Sequence, residues 1–256
     1  MTNYQIYELY VELEEFKPKM WRRFQIIGDI TLARLAYTIM ILFEVRNKYS
    51  YEFRKDELDV YLKRHPEYIK HPERLETLNK EFKKVRYGMT NKKNVYKYKN
   101  VEGYEELRDA TSIKVNNILE YEKDEIAFFY DPETNWKVKV VLEKKFNEKK
   151  IYIKDFPKVL EGEEYGIIED VGSVKNLQKF REKLIKYNWN NKTSYKYYNT
   201  KGEGKKFFFD NFDTEDVNYR LKKLVKTYKS IYEKDYEMTY TELDVLNRKY
   251  KVYRKN

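Results

Sequence analysis

Residue types that commonly carry chemistry are sparse in this chain. The two histidines, His65 and His71, each precede a proline, and their spacing of six fits neither one helix face nor a zinc-ligand pattern. They read as exposed turn residues. Glu169 and Asp170, with Asp131 as a further carboxylate, offer the oxygen ligands that a hard cation such as magnesium wants. The competing reading is a polar turn capping the helix that starts at Ser173. Asp210 and Asp213 can be proposed alongside Asp131 on the same grounds. Lys201-Gly202-Glu203-Gly204-Lys205 reads as a turn, because a carboxylate at Glu203 is badly placed for cradling phosphate. The absence of cysteine excludes a thiolate metal site, a catalytic thiol and a disulfide scaffold, and allows a reducing compartment. No catalytic residue is named from the sequence, and no metal or cofactor is expected.

The basic residues are more informative. The chain holds 53 Lys and Arg against 43 Asp and Glu, a formal charge of +10. Residues 62–100 carry 12 Lys and Arg against 4 Glu, and residues 179–206 carry 9 against 2. Segregated charge of this kind draws polyanions, and each neutralised phosphate adds affinity through counterion release. Aromatic residues are interleaved with these cations, which suits unstacked bases and therefore RNA or single strands over a duplex. The candidate nucleic-acid-binding set is Arg22, Arg23, Lys83, Lys84, Arg86, Lys92, Lys93, Tyr96, Lys97, Tyr98, Lys99, Lys192, Tyr195, Lys196, Tyr197, Lys205 and Lys206. Two bland readings stand beside it. Tyrosine and lysine are enriched throughout, so the interleaving also fits genome bias plus a solvated helix face. In Trp21-Arg22-Arg23 the tryptophan can anchor a turn while the arginines pair with carboxylates such as Glu14 and Glu15.

Those side chains need elements to position them. Tyr4–Leu13 alternates as a half-buried strand does, and a second strand-like run covers Phe24–Ile27 after the turn Lys17-Pro18-Lys19. Thr31 is a fitting N-cap for a helix, apolar on most sides, carrying Leu32, Leu35, Ile39 and Leu42. Residues 55–110 turn charged and read as an inserted basic helical subdomain, with one amphipathic helix through Leu75, Leu78, Phe82 and Val85. Ile126–Tyr130 and Trp136–Leu142 make a hairpin. Ser173 caps a helix with Leu177, Phe180 and Leu184 inward, and Asp213 or Thr214 caps another with Val217, Leu221, Leu224 and Tyr228 inward. The expectation is α+β: a mixed or antiparallel sheet packed on helices, one domain over residues 1–256. Roughly a third of the residues are apolar once tyrosine is set aside and glycine included, a thin core for 256 residues. No secretory signal or membrane span is visible, so the cytoplasm is the default expectation.

Four ordered phrases carry a resemblance to the plasmid pRiA ORF-3-like family, whose members are passengers of plasmids, phages and transposons. They are Pro18-Lys19-Met20-Trp21-Arg22-Arg23 with Thr31-Leu32-Ala33-Arg34-Leu35; Phe129-Tyr130-Asp131 with Trp136 and Leu142-Glu143; Leu160-Glu161-Gly162-Glu163 leading into Glu169-Asp170-Val171-Gly172; and Phe212-Asp213-Thr214-Glu215-Asp216-Val217-Asn218. They span roughly residues 4–230 and imply one α+β domain. Where the family usually has polar signature residues this chain has Ala36, Glu133, Thr134 and Val138, and Ile167 and Ile168 replace two prolines. The expected function is a non-enzymatic nucleic-acid-binding protein of phage or mobile-element origin, with RNA preferred. A further expectation is an anti-defence, anti-CRISPR-like inhibitor that blocks a host ribonucleoprotein. The alternatives are a degenerate metal-dependent enzyme acting on a phosphorylated or nucleic-acid substrate through Glu169, Asp170 and Asp131, and an interaction module for an acidic protein partner.

Overall fold

The computed structural model describes residues 3–46, 48–90, 101–105, 107–131, 134–187, 195–198, 204–207 and 212–247. Strand β1 (Tyr4–Leu13) buries Leu9, Val11 and Leu13 and turns Tyr10 and Glu12 to the opposite face, the period of two that its sequence displays. It pairs antiparallel with β2 (Met20–Ile27). This strand starts four residues before the apolar run at Phe24, because Arg22 takes an inward position that pattern reading reserves for an apolar residue. Helix α1 (Leu32–Leu42) follows, with the Arg34 N–H donating to the Thr31 hydroxyl at 3.2 Å and every helical residue but Arg34 buried. The expected cap and the near-complete burial are both present.

Strand β3 (Tyr51–Asp56) leads through α2 (Glu57–Arg64) and α3 (Pro72–Glu81) to β4 (Lys84–Gly88), which returns antiparallel beside β3. Val85, expected on a helix with Leu78, instead faces the core from β4; Phe82 is already extended and ends α3. Strand β5 (Leu107–Asp109) joins β4 in parallel. Residues 55–110 thus supply two α-helices and the strands that complete one edge of the main sheet. The hairpin of β6 (Glu125–Tyr130) and β7 (Trp136–Glu148) forms as expected and places β7 against β1. After β8 (Lys158–Glu163) come α4 (Val174–Tyr187), the hairpin of β9 (Tyr195–Tyr198) and β10 (Gly204–Phe207), α5 (Thr214–Lys234) and α6 (Tyr240–Leu246). The α4 cap at Ser173 and the α5 cap at Asp213 both accept backbone N–H groups, from Asn176 and Asp216.

The main sheet has the order β5-β4-β3-β6-β7-β1-β2-β8, mixed because only β4 and β5 run parallel among the described strands. One face carries Leu9, Val11, Phe24, Phe53, Phe128, Val138 and Val140 into a single cluster with α1 and the inner side of α5. The other face is half-buried and polar, laced by cross-strand ion pairs: Lys137–Glu14 at 2.8 Å, Lys144–Glu8 at 3.0 Å, and Arg23 with Glu143 and Glu161. The fold is α+β, as the order of elements in the sequence implies.

Arg22 is the polar residue at the centre of this packing. Its Nε donates to the Leu42 carbonyl at 3.1 Å, and its two terminal nitrogens donate to the carbonyls of Trp21, Glu163, Glu164 and Tyr165. The planar fork matches several acceptors at once, a geometry an ammonium does not reproduce. Replacing Arg22 by Lys is therefore expected to lower stability by about 3 kcal/mol or more, because buried carbonyls lose donors while a buried charge remains. Urea unfolding measures this; a midpoint equal to wild type would show that the fork is dispensable.

Candidate nucleic-acid interface

The cations singled out in the sequence separate into four groups. Arg22 and Arg86 are buried, which corrects their place in the binding set: Arg22 is committed to carbonyls, and Arg86 donates to Glu52 at 2.6 Å on the neighbouring strand. A guanidinium enclosed in this way has no open side for a phosphate. Arg23, Lys83 and Lys84 reach the surface. Arg23 is held by Glu143 and Glu161, instead of the nearby Glu14 and Glu15, and lies over the stacked rings of Tyr10 and Trp21. Lys83 pairs with Glu105 at 2.7 Å and Lys84 with Asp56 at 2.9 Å, and the Asp56 carboxylate holds the Lys84 ammonium above its ordinary range. Lys92, Lys93, Tyr96, Lys97, Tyr98, Lys99 and Lys192 lie outside the described residues. Tyr195, Lys196 and Tyr197 lie on β9 and Lys205 and Lys206 on β10, where Lys205 is opposite Tyr197 and Lys206 opposite Lys196.

The sequence reading passed over the outer face of α5. Its inward residues, Val217, Leu221, Leu224, Tyr228 and Ile231, pack into the core. The complementary face therefore presents Lys222, Lys226 and Lys229 at i, i+4 and i+7, with Lys223 alongside, all exposed. Lys222 meets Asp155 at 3.4 Å and Lys229 meets Glu233 at 3.6 Å. Lys223 lies 5.9 Å from the Tyr219 ring, and Lys226 faces no carboxylate within ion-pair distance among the described residues. Helix α4 likewise exposes Lys175, Lys179, Lys183 and Lys186. Residues 174–234 hold 16 Lys and Arg against 7 Asp and Glu, so this part of the chain accounts for most of the +10 surplus. The signal was present in the sequence as the reverse of the apolar stripe on α5.

The carboxylates proposed as a metal site part company. Asp131 accepts from the Thr134 hydroxyl at 2.7 Å in the turn that ends β6, and Asp170 lies 4.0 Å from Lys48. Glu169, in the 3-10 turn Glu169–Val171, points into the protein, where the Tyr130 hydroxyl and the Arg46 N–H both reach its Oε1, at 2.5 and 2.9 Å. Among the described residues no three His, Cys, Asp or Glu side chains converge as a metal would require. Burial raises the Glu169 carboxyl from its ordinary 4.5 to about 6, against the opposing effects of the Tyr130 and Arg46 hydrogen bonds and of the Lys48 charge. His65 closes α2 and packs on Tyr61, and His71 precedes α3 without a side-chain capping bond.

The four sequence phrases now have places in one structure: β2 with α1, the β6–β7 hairpin, β8 with the Glu169 turn, and the start of α5. The family model described as plasmid pRiA4b ORF-3-like protein matches residues 5–237. The chain belongs to this family. No curated protein matches it. Among solved structures it is similar to the protein of unknown function MM3350 from Methanosarcina mazei Go1, at 20% identity and a TM-score of 0.57. That likeness covers 84% of this chain and 98% of the other, and it extends the fold of the family without naming an activity. No helix among the described residues is long and apolar enough to cross a membrane.

The state of Glu169 makes stability depend on pH. Because the folded protein binds this proton more tightly than the unfolded chain, the contribution is complete below pH 4.5 and lost as the pH rises through about 6. A shift of this size corresponds to about 2 kcal/mol. Relative to Glu169→Gln, wild type is expected to gain that much between pH 7.5 and 4.5, read as a widening difference in urea midpoints; parallel pH profiles would refute it.

Proposed function

We propose that this protein binds nucleic acid, RNA in preference to duplex DNA, through the lysine face of α5, and that it does so without catalysing a reaction. The observation that carries the reading is the solvent-facing row Lys222, Lys226 and Lys229, with Lys223 beside it, within a stretch of 16 cations against 7 carboxylates. A row of ammonium groups on a rigid helix follows a phosphate backbone and gains from counterion release. The preference for RNA rests on the tyrosines that alternate with lysines on β9, Tyr195 and Tyr197 around Lys196, since stacking on aromatic rings requires unpaired bases. Membership of a plasmid-associated family agrees with a protein whose encounters with nucleic acid need not be specific in sequence.

Anchoring of α5 keeps the row straight. The helix is held from inside by Arg220 on Glu44 and by Asn218, which donates to and accepts from the Val159 backbone of β8 at 3.0 and 2.8 Å. Lys223 and Lys226 on its outer face make no ion pair among the described residues, so their charge can be reversed without loss of the fold.

The test is the double reversal Lys223→Glu with Lys226→Glu. Binding of a single-stranded RNA oligomer, followed by fluorescence anisotropy, is expected to weaken by roughly tenfold or more, and the slope of log K against log salt to fall by about 1.4, two phosphate contacts at 0.7 each. The urea midpoint should not move. Unchanged affinity and slope would remove α5 as the binding face. Equal affinity for single-stranded RNA and for a duplex of the same length would remove the RNA preference.

A further inference from the structure

The Tyr130 hydroxyl lies within hydrogen-bonding distance of two acceptors, the Arg46 carbonyl and the Glu169 carboxyl, and it also accepts from the Tyr49 N–H. A phenol has one proton to donate. Tyr130 is itself held well above its ordinary range by burial, then by the neighbouring Tyr232 and Glu169, so that one proton stays on. Two oxygen–oxygen hydrogen bonds form together only when two protons are present, and Glu169 is the group that can carry the second. With Glu169 ionised, Tyr130 donates to its Oε1; with Glu169 protonated, the acid can donate to the Tyr130 oxygen and Tyr130 to the Arg46 carbonyl.

We propose that Glu169 is a proton-operated latch for the connection between α1 and β3. In its protonated form the acid completes a relay that ends on the Arg46 carbonyl. When the proton leaves to solvent, the single Tyr130 proton turns to the new carboxylate and the Arg46 carbonyl loses its donor. The connection remains attached through α5, where Tyr228 donates to the Val45 carbonyl at 2.7 Å and Tyr232 to the Tyr49 carbonyl at 2.6 Å, and through the Tyr49 N–H on Tyr130 and the Arg46 N–H on Glu169, so ionisation removes only the Tyr130 bond to the Arg46 carbonyl. The groups that face this site from each packed element are Tyr130 of β6, Tyr228, Tyr232 and Arg220 of α5, and Glu44, Arg46 and Lys48 of the connection, with Asp170 next in the chain. Burial opposes the ionised form and prevails, raising the Glu169 carboxyl to about 6, within reach of mild acidification, while the hydrogen bonds of Tyr130 and Arg46 and the charges of Lys48 and Arg46 favour ionisation.

Carbon NMR on labelled wild-type protein, with no nucleic acid present, tests this apart from the binding reading. The Glu169 carboxyl carbon is expected to titrate with a midpoint shifted from 4.5 to about 6. The Arg46 carbonyl carbon should move with the same midpoint. Both responses should vanish in Glu169→Gln, whose amide donates to Tyr130 at every pH. In Tyr130→Phe the Glu169 carboxyl should still titrate while the Arg46 carbonyl no longer follows it. A Glu169 midpoint at or below 4.5, or an Arg46 step that survives in Glu169→Gln, would overturn the latch.

Discussion

The guanidinium of Arg22 ties together parts of the chain that no local preference would hold in place. From the inner face of β2 it reaches the last turn of α1 at Leu42 and the run Glu163-Glu164-Tyr165 that leaves β8. The rings of Phe43 and Phe212 lie 5.2 and 4.3 Å from its central carbon, so the entry to α5 closes over the same group. Burying a cation costs several kcal/mol of lost hydration. Carbonyl dipoles at a helix C-terminus and two aromatic faces offset that cost, because each presents negative potential to the cation. The edge strand must come close for this to work: a side chain at Gly162 would place its first carbon 2.7 Å from the Arg22 side chain and from the Trp21 carbonyl oxygen.

Around this clamp, tyrosine serves as the core residue. Tyr7, Tyr37, Tyr51, Tyr87, Tyr130, Tyr228 and Tyr232 are all buried, and Tyr37, Tyr51 and Tyr232 meet ring to ring where α1, β3 and α5 converge. This resolves the thin apolar composition, since rings that count as polar by their hydroxyls fill the interior by their faces. The hydroxyls of Tyr130, Tyr228 and Tyr232 find partners in backbone carbonyls of the connection between α1 and β3. Packing and loop anchoring are in this way one arrangement, and Glu169 adds to it the single member able to change charge near neutral pH.

Charge is divided between the two sides of the molecule. On the outer face of the sheet Arg23, Lys139 and Lys144 each meet a carboxylate on the adjacent strand, which helps to hold the strands in register. On α5 the exposed lysines outnumber the carboxylates that reach them. Long-range attraction of a polyanion follows the second pattern, because paired charges of opposite sign cancel within a Debye length.

Local pattern was enough for the elements that depend on neighbours in sequence. Alternation located β1 and the β6–β7 hairpin, and short polar side chains located the starts of α1, α4 and α5, because strand period and helix capping are decided within a few residues. The four family phrases were legible for the same reason. What the tertiary structure decided were the partners of charged and hydroxylated groups. Arg22 looked like a surface cation until carbonyls 141 to 143 positions away surrounded it, and Glu169 looked like a turn residue or a metal ligand until Tyr130 and Arg46 enclosed it. Arg86 looked available to phosphate until it was set beside Glu52. Whether a polar group lies in water or in the interior depends on which distant segments come to rest against it, and that is a property of the folded chain.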